Sequence, residues 1–355
     1  MRPARILALH VVLSLAACGG ATPSQSIVAI PAQPAPVETS TRASDAGARA
    51  EPPSPRTAPP PLPAGANGPR DARAMIGEAG DLVPAPHRAT LLVSSAAVRA
   101  HPWGDSIGMT ITAVFSGWGD FMPYDVVHPM KDVDWVMMSG SLVMGSTQQN
   151  VFLARYNLSE PKADTAAATL LKRLPGAKKT DVGVKGVTAL TAHIDGADRL
   201  YLRPKPAVLA IVPPSESKRA VELLRRVDLP QSVRPGELLR IAYSSGTKLR
   251  MFGALPNAVD GMRAWLEGTR DGGLVAHAEL DCPTNEQAEG ASRELEDRIG
   301  RALATPLVRI AFGGLAERVR VWPDGSVVRV RAEIAEDELR ALSALACARN
   351  GACTP

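Results

Sequence analysis

Two stretches of this chain align without a gap, the first reading as a strand bent at its prolines and the second as a hairpin. Arg199-Leu200-Tyr201-Leu202-Arg203-Pro204-Lys205-Pro206-Ala207-Val208-Leu209 stands against Arg318-Val319-Arg320-Val321-Trp322-Pro323-Asp324-Gly325-Ser326-Val327-Val328. Each is followed by a helix with leucines at matching positions, and Leu158-Ser159-Glu160-Pro161 parallels Leu280-Asp281-Cys282-Pro283. Self-similarity of this kind constrains a chain to build one supersecondary unit twice. The expected fold is α+β: two pseudo-repeated ββαββα units, 71–230 and 231–355, forming a largely antiparallel sheet with helices packed on one side.

Periodicity fills in the units. Thr90 to Ser94 reads as a first strand, and Pro102 suits the first turn of a helix running towards Val114 and Phe115. Val133 to Met138 and Val151 to Leu158 follow as paired strands, split by a Gly-Ser-rich turn. Ser159 stands as the cap of a helix from Pro161 to Leu174 whose Ala167, Leu170, Leu171 and Leu174 share a face. Val187 to Ile194 and Arg199 to Val212 are then strands, the second bent at Pro204 and Pro206, and a helix runs from Ser215 to Val227. In the second unit, Met262 to Glu267 and Leu274 to Leu280 are strands around Asp271-Gly272-Gly273. Asp281 is the expected cap of a helix from Pro283 to Ala304. Pro323-Asp324-Gly325 marks a hairpin between Arg318–Trp322 and Ser326–Ile334, and Glu336 to Cys347 is the last helix.

Ahead of these units, residues 18–70 are Pro, Ala, Ser, Thr and Gly with few large apolar groups. Such a stretch buries too little apolar area to offset the entropy of ordering. It reads as an extended linker, reaching roughly 160 Å in polyproline form and about 40 Å as a coil. Residues 1–17 carry Arg2 and Arg5 before an apolar run from Ile6 to Leu15, too short to span a bilayer and right for an export signal. The run closes on Leu15-Ala16-Ala17-Cys18, which resembles the lipobox of bacterial lipoproteins. The resemblance implies cleavage before Cys18, lipid on its thiol and attachment to a membrane. Gly19, where Asp would favour inner-membrane retention, points to the outer membrane facing the periplasm. Lipobox, Pro/Ala-rich linker and duplicated α+β domain together resemble uncharacterised bacterial lipoproteins.

The formal charge of +4 falls to +2 once Arg2 and Arg5 are removed, and the basic residues are scattered without interleaved aromatics, which argues against nucleic acid. Aromatics make up 4% of the chain, too few for an extended sugar-stacking surface. With Cys18 assigned to lipid, Cys347 and Cys353 flank an Asn-Gly turn and are the expected local disulfide, leaving Cys282 as a buried thiol. Pairing of Cys282 with a tail cysteine is the alternative.

Catalytic and metal signatures are missing from the sequence. There is no HExxH, no G-x-S-x-G and no phosphate-cradling glycine loop. His277 and Cys282 lack two further zinc ligands, and the acids Asp120, Asp125, Asp132 and Asp134 do not follow a calcium-loop spacing. No metal and no cofactor is expected. Trp135 and Trp265 fall in corresponding strands and are expected in the core. Trp118, Phe121 and Met122 sit in a Gly-flanked loop; folding back over the core is the first expectation for it, and they are the candidate partner-docking residues if it does not. The leading functional expectation is a non-enzymatic, membrane-tethered scaffold that binds an envelope protein. The alternatives are a binder of a small or lipidic ligand in a cleft between the two units, and an unrecognised hydrolase.

Overall fold

A computed structural model describes residues 74–83, 89–114, 118–140, 151–194, 196–243, 255–304 and 314–344, apart from 316, 342 and 343. The signal segment, Cys18, the whole linker, Cys347 and Cys353 lie outside the described residues.

The strands are β1 (Ala89–Val93), β2 (Val133–Gly140), β3 (Val151–Tyr156), β4 (Lys178–Lys179), β5 (Thr188–Ile194), β6 (Ala197–Arg203), β7 (Val208–Val212), β8 (Glu237–Tyr243), β9 (Gly261–Gly268), β10 (Leu274–Asp281), β11 (Arg320–Asp324) and β12 (Val327–Ile334). All twelve join one sheet in the order β11-β12-β10-β9-β8-β1-β2-β3-β7-β6-β5-β4, and every pairing is antiparallel. The helices are α1 (Ser95–Ala100), α2 (Gly104–Val114), α3 (Trp118–Phe121), α4 (Glu160–Arg173), α5 (Ser217–Arg226) and α6 (Asn285–Leu303). Residues 336–341 form a last helical stretch, α7.

The two halves of the sheet follow the same path outward from the centre. One runs β1-β2-β3-β7-β6 with α4 between its third strand and the next, the other β8-β9-β10-β12-β11 with α6 in that place. They meet where β1 pairs with β8, Leu91 opposite Ile241 and Val93 opposite Leu239.

Three expectations are corrected. Arg199 to Val212 is not one bent strand but a hairpin, because Pro204-Lys205-Pro206-Ala207 turns the chain back, with Ala207 at a φ of 61°. The helices do not all lie on one side. Along β3, Phe152 and Ala154 face a core shared with α4, whereas Leu153 faces a second core shared with α5 and the turn at Ala74–Leu82. The α6 cap is Thr284, whose Oγ1 accepts from Gln287 N at 3.2 Å, while Asp281 is taken by Arg263. The two matched hairpins also differ by one residue. Leu200 pairs with Val212, but Arg331 pairs with Arg320 rather than Val319, since the second hairpin turns on only Gly325-Ser326.

Burial follows sequence pattern. Val151-Phe152-Leu153-Ala154 is apolar on both faces and is buried on both. Leu274-Val275-Ala276-His277-Ala278-Glu279-Leu280-Asp281 alternates, so Leu274, Ala276 and Leu280 enter the first core and His277, Glu279 and Asp281 face the other way.

Candidate functional site

α4 begins after Ser159 with Pro161 in its first turn and carries a run of small residues towards the sheet. Ala163 and Ala166 are buried there, opposite Tyr156 and Tyr201 on β3 and β6. Alanine reaches too short a distance to fill the gap between helix and sheet, and a pocket of about 40 Å³ remains, room for roughly three waters. Its walls are carbon almost throughout, with Met122, Leu170 and Leu190 closing the inner end. It opens beside exposed Thr188 and half-buried Leu158 and Leu209.

The polar atoms near this pocket are directed away from its interior. Tyr201 Oη donates to Phe121 O at 2.6 Å, and burial pushes its hydroxyl well above the ordinary tyrosine range, so it stays a neutral donor. Tyr156 Oη accepts from Arg203 Nε at 3.2 Å. The Arg203 guanidinium then spans the mouth to α4, donating to Asp164 at 2.6 Å and Glu160 at 2.7 Å. A second clasp, Arg173 to Asp125, ties the far end of α4 to the segment after α3.

The second half of the sheet presents a different surface. On the face away from α6, side chains line up in rows across the strands. Arg240 lies over Trp265 at 5.1 Å, and Trp265 stacks on His277 at 4.9 Å with the rings 9° from parallel. Arg240 is held by Glu237 through two bonds of 2.6 and 2.7 Å, and both are buried, 3% and 2% exposed. In the next row Arg263 and Arg329 share Glu279, at 3.1 and 2.8 Å, and continue to Asp281 and Asp324. Glu267 accepts from Trp265 Nε1 at 3.1 Å, and the His277 hydrogen bond holds its carboxyl below the ordinary value. Each of these guanidiniums meets a carboxylate, so the lattice neutralises itself. Among the described residues no helix packs on this face; α6 and α7 both contribute to the core on the other side.

The residues singled out from sequence are distributed as follows. Trp118, Phe121 and Met122 are 4%, 4% and 1% exposed: the loop folds back over the core, the first expectation for it, and does not present them for docking. Phe121 packs on Phe152 with ring centroids 4.4 Å apart, Trp118 Nε1 donates to Val127 O at 3.3 Å, and Met122 lines the pocket. Large apolar groups in a loop gain more from burial than from solvent, and the single turn of α3 delivers them to β3. Trp135 and Trp265 are both buried in strands β2 and β9. Cys282 is a free, buried thiol. Asp132 accepts from His128 N, Asp134 pairs with Arg99 and Arg155, and Asp125 pairs with Arg173, so these acids hold loops in place. Among the described residues, no group of three potential metal ligands comes together.

The pocket sits inside the first half, not between the halves as the ligand-binding alternative had it. Sequence reasoning placed α4 and its apolar side but missed the void. The signal was available in Ala163, Ala166 and Ala167, which occupy inward positions where leucines would fill. The charged face was legible too, in the strict alternation of β10. No protein-family model, no curated protein and no solved structure matches this chain.

Proposed function

We propose that this chain is an envelope lipoprotein, held at a membrane through lipid on Cys18, whose folded part binds a small apolar ligand and carries out no chemistry on it. The observation that carries the reading is the carbon-lined pocket under α4, where the Tyr201 hydroxyl is turned to Phe121 O and the Tyr156 oxygen accepts from Arg203. A protein-docking reading fits less well. It called for an exposed apolar surface, and Met109 is the exposed large apolar side chain among the described residues. The outer membrane, the extended linker and the Cys347–Cys353 bridge belong to the same proposal, on the sequence features already given. So does internal duplication, which the shared strand path supports and from which α5 and α7, on opposite faces, depart.

The test is native mass spectrometry of the full chain taken from its own envelope. The account expects a bound small molecule that is missing when Ala166→Leu fills the pocket, and a protein that leaves the membrane fraction as Cys18→Ala. A preparation free of ligand in every state would overturn the binding reading, and continued membrane attachment of Cys18→Ala would overturn the tether.

A further inference from the structure

We propose that the pocket under α4 selects short alkyl amines over carboxylates of the same length, an inference that rests on the apolar-ligand reading above. The selection comes from the charges at the mouth. Arg203, Glu160 and Asp164 form one hydrogen-bonded group there, one cation against two carboxylates. The carboxylates are 53% and 71% exposed, whereas Arg203 is 14% exposed and laid against the Tyr156 ring at 6.0 Å. The charge presented to an incoming head group is therefore negative.

A chain entering the pocket leaves its head in that field, because the interior is lined by carbon. The Tyr201 hydroxyl donates to Phe121 O, and the Tyr156 oxygen accepts from Arg203. An ammonium head meets an incompletely neutralised pair of carboxylates, beside an aromatic ring that already accepts a cation. A carboxylate head meets those carboxylates as like charges, with only the remaining N–H groups of a mostly buried Arg203 to answer them. The pocket's size limits the chain to a few carbons.

The experiment uses the full chain as Cys18→Ala, so that no detergent competes for the pocket, titrated with propylamine and with propanoate and followed by NMR. Propylamine is expected to bind about ten-fold tighter than propanoate. The Glu160→Gln/Asp164→Asn double variant brings the two within about two-fold of each other while keeping the chain-dependent part. Ala166→Leu, or Ala167→Leu at a less buried position should the first fail to fold, abolishes both. Equal binding, or tighter binding of propanoate, that is lost on filling the pocket overturns the amine selection and leaves the apolar pocket standing. No binding of either probe to the parent chain overturns both.

Discussion

At the scale of single residues, the charged face holds a buried ion pair. Glu237 and Arg240 are buried together and satisfied by each other, with the guanidinium also stacked on Trp265. Removing one partner leaves a buried charge uncompensated, so Glu237→Gln is expected to cost about 3–5 kcal/mol in denaturant unfolding. A loss no larger than that of a surface substitution would show that water reaches the pair. Glu267 gives a pH signature. Its folded carboxyl lies below the ordinary value of 4.5, chiefly through the His277 hydrogen bond. The unfolded chain therefore takes up the proton first. The contribution is complete above that ordinary value and is lost as the pH falls through the depressed one. Glu267→Gln should flatten the acid limb of the stability curve measured by urea titration, and a curve parallel to the parent's would refute the assignment.

At the scale of elements, sequence patterns were sufficient for most strands and helices, and failed for identifiable reasons. β2, β3, β9, β10 and the β11–β12 hairpin were legible because alternation or continuous apolar runs end at turn residues. β8 was overlooked because Arg240 and Glu237 interrupt its apolar run, and their mutual pairing is a tertiary fact. The β6–β7 hairpin was read as a bent strand because its four-residue turn holds two prolines and no glycine, with Ala207 taking the left-handed conformation. The helix cap was misassigned to Asp281 because an acid before a helix is a good cap in isolation, yet Arg263 on the neighbouring strand claims it. Thr284 starts α6 in the pattern Thr-Asn-Glu-Gln, so Thr284→Ala should cost about 1 kcal/mol in thermal or urea unfolding. No measurable cost would mean the helix start is fixed by packing of Ala288 and Ala291 alone.

At the scale of the whole molecule, the largely antiparallel sheet expected from the repeated pattern is one continuous sheet of twelve strands. The β1–β8 pairing joins the start of one half to the start of the other by backbone hydrogen bonds. The halves then diverge in use. The first is covered on both faces, by α4 on one side and α5 on the other, and the small residues of α4 leave a void. The second keeps one face as a self-neutralising lattice of charge. The central claim is that the void under α4 is a dry, ligand-accepting pocket rather than a packing gap filled by water. Crystals of the protein pressurised with xenon test this most directly, since apolar cavities take up xenon and polar ones hold water. The account predicts a xenon peak between Ala166 and Tyr201 that disappears in Ala166→Leu. Ordered water at that position, with no xenon, would contradict it.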